Sequence, residues 1–358
     1  MRLALQPEKA AVVDIGSNSV RLVIYEVTGA AALPYFNEKV LAGLGRGLPE
    51  TGKLSPEGVV DAMAAIRRYR AILTGLGVTQ VTAVATAAVR DAEDGPDFAR
   101  MAATELGARL RILSGAEEGR LSALGVRMGF DQPDGIVSDL GGSSLEFRRI
   151  TPAGQDGQGE THRLGPFSMS HMEGAKPAER RKAIRKVLKS SELLNAKTRR
   201  LYAVGGSWRA LASVHMDIKA YPLAILHGYR LNGQAVRTVV RTILATQRDK
   251  ELASHISGIV GRRFDTIVHA ALVLDEVFDA GGFKEVLVSA NGLREGVLFD
   301  QGEKMLFETM REPYGDALID GTIAFLRLEK SQLDFGEGAS GGRSHLLAPT
   351  QQAVDNRI

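Results

Sequence analysis

One pattern occurs twice in this chain, and no other feature limits its fold so strongly. Ala11-Val12-Val13 and Leu22-Val23-Ile24-Tyr25 flank Asp14-Ile15-Gly16-Ser17-Asn18-Ser19. Gly135-Ile136-Val137 and Leu145-Glu146-Phe147 flank Asp139-Leu140-Gly141-Gly142-Ser143-Ser144. Each segment reads as strand, tight turn, strand, with an Asp closing the first strand. A single turn of this kind is commonplace and could be a hairpin capped by its Asp. Two with the acid in the same place imply two similar halves. A strand ending in Gly and small polar residues can present successive N–H groups to an anion. Gly also permits close backbone approach and positive φ. Gly16, Ser17, Asn18 and Ser19, and in the second turn Gly141, Gly142, Ser143 and Ser144, are therefore candidate phosphate ligands. Gly205, Gly206 and Ser207 form a third glycine turn after the strand Leu201-Tyr202-Ala203-Val204. A carboxylate beside a phosphate repels it unless it holds a cation, so Asp14 and Asp139 point to Mg²⁺ held through water.

The rest of the chain supplies an α/β frame. Ser55-Pro56 starts a helix with a Ser cap and Pro in the first turn, and Val59, Met63, Ile66, Tyr69 and Leu73 keep helical spacing. Residues 81–85, 201–204 and 285–289 read as strands, and another strand ends at Ile112 and Leu113. Helices are predicted from Ser114 to about Met128, over 180–194, 231–246 and 266–278, from Leu293, and over 315–328. Residues 334–358 read as a loose tail. Strands alternating with helices give an α/β protein. At 358 residues there is room for two domains, each with its own core.

Composition excludes several classes. Hydrophobic residues at 44% and charged residues at 24% are an ordinary globular balance, which argues against a disordered chain. There is no cysteine, so thiolate metal sites, disulfides and Cys nucleophiles are ruled out. No apolar run approaches the ~20 residues of a membrane span, and Glu8-Lys9 interrupts any signal-peptide core. A cytoplasmic protein with no membrane partner is the simplest reading. The helix over 180–194 is basic, with Arg181, Arg185 and Lys189 at i, i+4 spacing. It reads either as a solvated face or as a track for a linear polyanion. Interleaved aromatics are missing, which disfavours nucleic acid as a partner.

Ser114 and Glu117 have capping-box spacing, which assigns Glu117 to the helix start. Glu118 lies one position on, beside Ser122 and Gly125, where small residues leave space for a ligand. Phosphoanhydride hydrolysis needs a carboxylate to orient and deprotonate water. Both glutamates are also simply favourable in a first helical turn. Arg90 can neutralise charge on a transferred phosphoryl group, or pair with Asp91 or Glu93. Alternation puts Glu146 on the same side of its strand as Ser144. Gly47-Leu48-Pro49-Glu50-Thr51-Gly52-Lys53-Leu54 mimics a P-loop but lacks the metal-binding hydroxyl and a feeding strand. The seven His form no helical ligand pair.

The segments 12–24, 83–90, 113–126, 137–147, 203–211 and 289–299 resemble the exopolyphosphatase/guanosine-pentaphosphatase (Ppx/GppA) family, within the sugar kinase–Hsp70–actin superfamily. VDIGSNSVRL and SGAEEGRLSALG carry the likeness most specifically, and LREGVLF supports it. The resemblance implies two ribonuclease-H-like domains around a central cleft, at 1–130 and 131–305. It leaves a C-terminal helix at 306–330 and a flexible tail at 331–358, with no room for the HD-type domain of longer members. It implies a homodimer and Mg²⁺-dependent release of terminal phosphate from inorganic polyphosphate or guanosine pentaphosphate. By position, Glu118 matches the catalytic base, Arg90 a catalytic arginine, and Glu146 a cleft glutamate near the metal with Asp14 and Asp139. Ser143 and Leu145 depart from the family's usual Gly and Thr, and a side chain at 143 would resist strongly positive φ. A superfamily kinase and a non-catalytic phosphate or alarmone sensor are the rival readings.

Overall fold

The computed structural model describes residues 8–28, 31–172, 174–196 and 198–300. The expected C-terminal helix over 306–330 and tail over 331–358 lie outside these residues. Among the described residues, eleven strands form two mixed sheets. The first holds β1 (Glu8–Ile15), β2 (Val20–Thr28), β3 (Ala31–Val40), β4 (Gln80–Ala85) and β5 (Leu110–Ile112), in the order β3-β2-β1-β4-β5. The second holds β6 (Gly135–Leu140), β7 (Leu145–Thr151), β8 (Gly154–His162), β9 (Arg200–Val204), β10 (Arg230–Asn232) and β11 (Glu285–Val288), in the order β10-β11-β9-β6-β7-β8.

The duplication read from two turns extends through each half. β1-β2-β3 is an antiparallel meander, with β4 parallel to β1 and β5 parallel to β4. β6-β7-β8 repeats the meander, with β9 parallel to β6 and β11 parallel to β9. This is the strand order of a ribonuclease-H-like unit, made twice. Even the loops after the third strands match. Gly43 and Gly45 N–H donate to the carbonyls of Asn18 and Ser17 at 3.1 and 2.8 Å. Gly165 and Phe167 N–H donate to the corresponding Ser143 and Gly142 at 3.1 and 2.9 Å.

Each sheet has an outer core. Val13, Ile15, Leu22 and Ile24 pack under the helices Pro56–Gly75 and Gly95–Leu106. Ile136, Phe147, Leu201 and Val286 pack under Gly206–Ile218, Gly233–Ala245 and Phe264–Ala280. The helix Gly115–Gly129 serves both inner faces. Leu121 joins Val12, Val23 and Val84 of the first sheet, while Ala123 and Val126 join Val137, Tyr202 and Val204 of the second. Glycine makes this possible at a helix crossing. A methyl on Gly125 would lie 2.1 Å from the Gly292 carbonyl oxygen, and one on Gly296 would lie 1.8 Å from that of Leu121.

Several local expectations are corrected. β3 and β8 were not foreseen, because both are edge strands that break the usual strand pattern: β3 carries Pro34 and the charged Glu38-Lys39, and β8 is glycine-rich. Leu231 belongs to β10, and the helix begins at Gly233 under an Asn232 cap. The basic helix ends at Leu188 rather than 194. No described helix is long and apolar enough to cross a membrane.

Candidate active site

Both turns close in the same way. Gly16 N–H donates to the Ser19 carbonyl at 2.9 Å, and Gly141 N–H to the Ser144 carbonyl at 2.9 Å. Neither Gly16, Gly141 nor Gly142 has positive φ, contrary to the reason expected for them. Ser143 has no positive φ either, so its Cβ is accommodated. Leu145 is fully buried in the core of the second sheet, which accounts for an apolar residue there. Gly205 does need glycine, at φ 104°, and a methyl on it would lie 3.0 Å from an Asp139 carboxylate oxygen.

The two turns meet. A methyl on Gly142 would lie 3.0 Å from the Ser17 Cβ, and one on Gly45 would lie 3.2 Å from the Ser143 hydroxyl. The third turn joins them through Gly205, and Arg263 packs over Gly206. Gly16–Ser19, Gly141–Ser144 and Gly205–Ser207 are therefore brought to one place.

Strand register then separates the chemistry of the halves. Asp14 lies opposite Arg21, and Arg21 opposite Lys39. In the second half, Asp139 lies opposite Glu146, and Glu146 opposite Thr161. The same position is basic in one half and acidic in the other.

On the acidic side, Glu118 is 6% exposed at the start of the helix Gly115–Gly129. Glu117, next to it, is taken up by the capping box: its carboxylate accepts from Ser114 N–H at 2.9 Å, and its own N–H donates to the Ser114 hydroxyl at 3.2 Å. Burial and the neighbouring Asp139 push the Glu118 pKa up to about 8, against the opposing pull of Arg90. Arg90 Nη1 lies 3.3 Å from Glu118 Oε2 and donates to the Leu113 carbonyl at 3.1 Å, while its Nε pairs with Asp91 at 3.1 Å. Arg90 therefore joins the site and also makes the surface pair. Glu146 is 1% exposed, and burial followed by Glu118 and Asp139 raises its pKa well above the carboxylate range. Neither of its oxygens has a partner at hydrogen-bond geometry, though the Ser144 hydroxyl is near enough to favour the charged form. Asp139 accepts a short hydrogen bond from Ser122 and is itself raised by burial.

On the basic side, five cations converge, and the sequence reading had assigned none of them. Arg294 Nη1 pairs with Asp14 at 3.1 Å; burial opposes its charge, but Glu295 and Asp14 outweigh burial. Burial, then Arg294, lowers Arg21 to about 10, and burial with Arg294, Arg21 and Arg263 lowers Arg209 to about 10. Lys39 keeps an exposed surface, yet the protein around it and then Arg263, Arg21, Arg209 and Arg294 push its pKa down to about 7. Like charges that depress each other mark a place built for an anion. A sequence signal did exist: Arg21 falls within VDIGSNSVRL and Arg294 within LREGVLF.

The expected cation ligands Asp14, Asp139 and Glu146 do not close on one point, and no three acidic or histidine groups among the described residues do. The residues still fit Mg²⁺ held through water. The donors are hard oxygens, Glu146 has two orphaned oxygens, and the acids raise one another's pKa. On the basic helix, Arg181 lies 2.8 Å from Glu276 Oε1 and Arg185 also pairs with Glu276, while Lys182, Lys186 and Lys189 are exposed.

Residues 22–305 match the sequence model of the Ppx/GppA phosphatase family. Exopolyphosphatase 2 of Mycobacterium tuberculosis is 26% identical over 313 residues, covering 81% of this chain and 97% of that protein. Exopolyphosphatase 1 of Mycobacterium leprae is 27% identical over 311 residues, covering 81% and 88%. Among solved structures, an exopolyphosphatase from Cytophaga hutchinsonii superposes with TM-score 0.75 at 21% identity, covering 83% of this chain and 98% of its own. The Aquifex aeolicus Ppx/GppA family member gives 0.70 at 24% identity, covering 83% and 98%. These superpositions show the fold.

Proposed function

The chain belongs to the Ppx/GppA phosphatase family, and from that premise we propose that it is a cytoplasmic, homodimeric exopolyphosphatase that removes terminal phosphate from inorganic polyphosphate. The observation that carries this reading is the meeting of the two glycine turns, with a buried Glu118 on one side and five cations on the other. In this reading residues 8–130 and 131–300 act as two lobes of the cleft.

The turn amides and hydroxyls of Gly16–Ser19 and Gly141–Ser144, with Gly205–Ser207, grip the phosphates near the scissile bond. Arg21, Lys39, Arg209, Arg263 and Arg294 neutralise the remaining chain. Glu118 takes the proton from the attacking water, which it must do as the carboxylate. Arg90 holds Glu118 in place and favours its ionised form. Asp14, Asp139 and Glu146 would hold Mg²⁺, which when bound supplies charge neutralisation at the phosphoryl group. Glu118, at 6% exposed, is shielded from bulk water by the protein around it.

A kinase reading has less support. Arg263 fills the face of Gly206, and Trp208 is buried with its indole N–H on the Ser138 carbonyl, so an adenosine pocket has little room there. The test is phosphate release from polyphosphate, guanosine pentaphosphate and ATP, with and without Mg²⁺. Release from polyphosphate that needs Mg²⁺ is expected. Binding without release from any of the three would favour the sensor reading, and transfer from ATP to an acceptor the kinase.

A further inference from the structure

We infer that Phe167 is a positioning residue whose ring braces the junction of the two glycine turns and sets the spacing at which they hold a phosphate chain. The inference rests on the hydrolase reading for its activity measurements, but not for its binding measurements.

The internal duplication makes the residue conspicuous. Gly45 and Phe167 occupy equivalent positions, each donating its N–H to the second residue of a glycine turn's tip, Ser17 or Gly142. One half has a hydrogen there and the other a benzyl group. The ring lies against Gly142 of the second turn and against Gly45, which is hydrogen-bonded to Ser17 of the first. A methyl on Gly45 would lie 3.2 Å from the Phe167 ring and 3.1 Å from Ser17 Cβ. A methyl on Gly142 would lie 3.3 Å from the same ring. Two glycines are thus kept bare around one aromatic side chain, and a further carbon on either would require the ring to give by a few tenths of an ångström.

The segment carrying the ring is tied down on all sides. The Ser168 hydroxyl donates to the Ser143 carbonyl at 2.6 Å, and His269 Nε2 meets the Leu164 carbonyl at 2.7 Å. Across the seam, Ser170 donates to Glu50 at 2.9 Å, and Arg163 lies 3.6 Å from Asp91. Gly165 packs so closely on the second turn that a methyl would lie 2.4 Å from the Ser143 carbonyl carbon. Phe167 itself is half-buried and belongs to none of the hydrophobic cores. Its apolar area therefore serves the turns rather than the interior. Catalysis by positioning is steeply sensitive to small displacements of the grip.

The test is a double-substitution cycle on the full chain: Phe167→Ala, Phe167→Leu, Gly45→Ala, and Gly45→Ala with Phe167→Ala. Each is measured for kcat and KM on polyphosphate, for melting temperature, and for calorimetric affinity toward inorganic tripolyphosphate. Phe167→Ala should lower kcat about a hundredfold while melting near the wild type, and Phe167→Leu should recover most of the rate. Gly45→Ala alone should be impaired, because its methyl meets the ring. The pair should do better than the product of the single effects, because the new methyl occupies part of the space the ring vacates. A folded Phe167→Ala protein with wild-type kcat, or strictly multiplicative effects, would overturn the inference. If wild type releases no phosphate from any substrate, the hydrolase reading fails. Coupling in tripolyphosphate affinity then still supports the brace, and additivity there overturns it.

Discussion

Glu118 is held with its proton on, and the proposed chemistry requires it off. Its pKa stands at about 8 against an ordinary 4.5, first through burial and then through Asp139. Hydrolysis should therefore accelerate as pH rises toward and through about 8, read from a pH profile of kcat. Stability should move the other way. The folded state binds this proton more tightly than the unfolded chain, so the contribution of Glu118 to stability falls as pH climbs from about 4.5 to about 8. Glu118→Gln removes that linkage. It should melt above the wild type at pH 8, and below that margin at pH 5, while turnover drops about 10²–10⁴-fold. A variant that melts below wild type at pH 8 would show that the carboxylate is not strained by its burial. The capping pair Ser114–Glu117 explains how two adjacent glutamates come to differ so much. One is fixed at the exposed helix start by two hydrogen bonds, and the other faces inward beside Ser122 and Gly119.

At the scale of elements, the helix Gly115–Gly129 must sit between two sheets and under a further helical segment, 293–300. Gly296→Ala would drive a methyl into the Leu121 carbonyl. We expect a loss of about 2–3 kcal/mol in denaturant titration, with activity falling as Glu118 shifts along with its helix. The helix Pro177–Leu188 is a different case. Its Arg181 faces Asp275 and Glu276, both less than a tenth exposed, on the helix Phe264–Ala280. Arg181→Met leaves Glu276 to Arg185 and Asp275 to Arg237, and should cost about 1.5–3 kcal/mol, yet leave polyphosphate affinity unchanged. A loss of affinity with unaltered stability would restore the polyanion track that the charge pattern alone suggested.

For the molecule as a whole, duplication followed by divergence is the organising fact. One meander carries Asp14, Arg21 and Lys39 in register, and its copy carries Asp139, Glu146 and Thr161. Affinity for polyphosphate should accordingly fall about tenfold or more between 50 and 200 mM salt, measured by calorimetry, as the five cations of both halves displace counterions from the chain. The sequence disclosed the two turns, the capping box and the order of most strands, because tight turns and buried β-branched runs are local signals. It hid β3 and β8, whose edge positions tolerate Pro, Gly and charge. It hid the five cations as well, since Arg21, Lys39, Arg209, Arg263 and Arg294 come together only through strand register and packing. The role expected for glycine at positive φ in the turns was also misplaced, because backbone dihedrals of a short turn are not written in its composition.

The account's central claim is a division of labour between a basic side of the site that binds and an acidic side that turns over. It is tested most directly by measuring kcat and tripolyphosphate affinity in parallel for Glu118→Gln and Lys39→Gln. Glu118→Gln should lose turnover and keep its affinity, whereas Lys39→Gln should lose affinity and keep most of its turnover at saturation. Equal loss of both quantities in both variants, or wild-type turnover in Glu118→Gln, would contradict it.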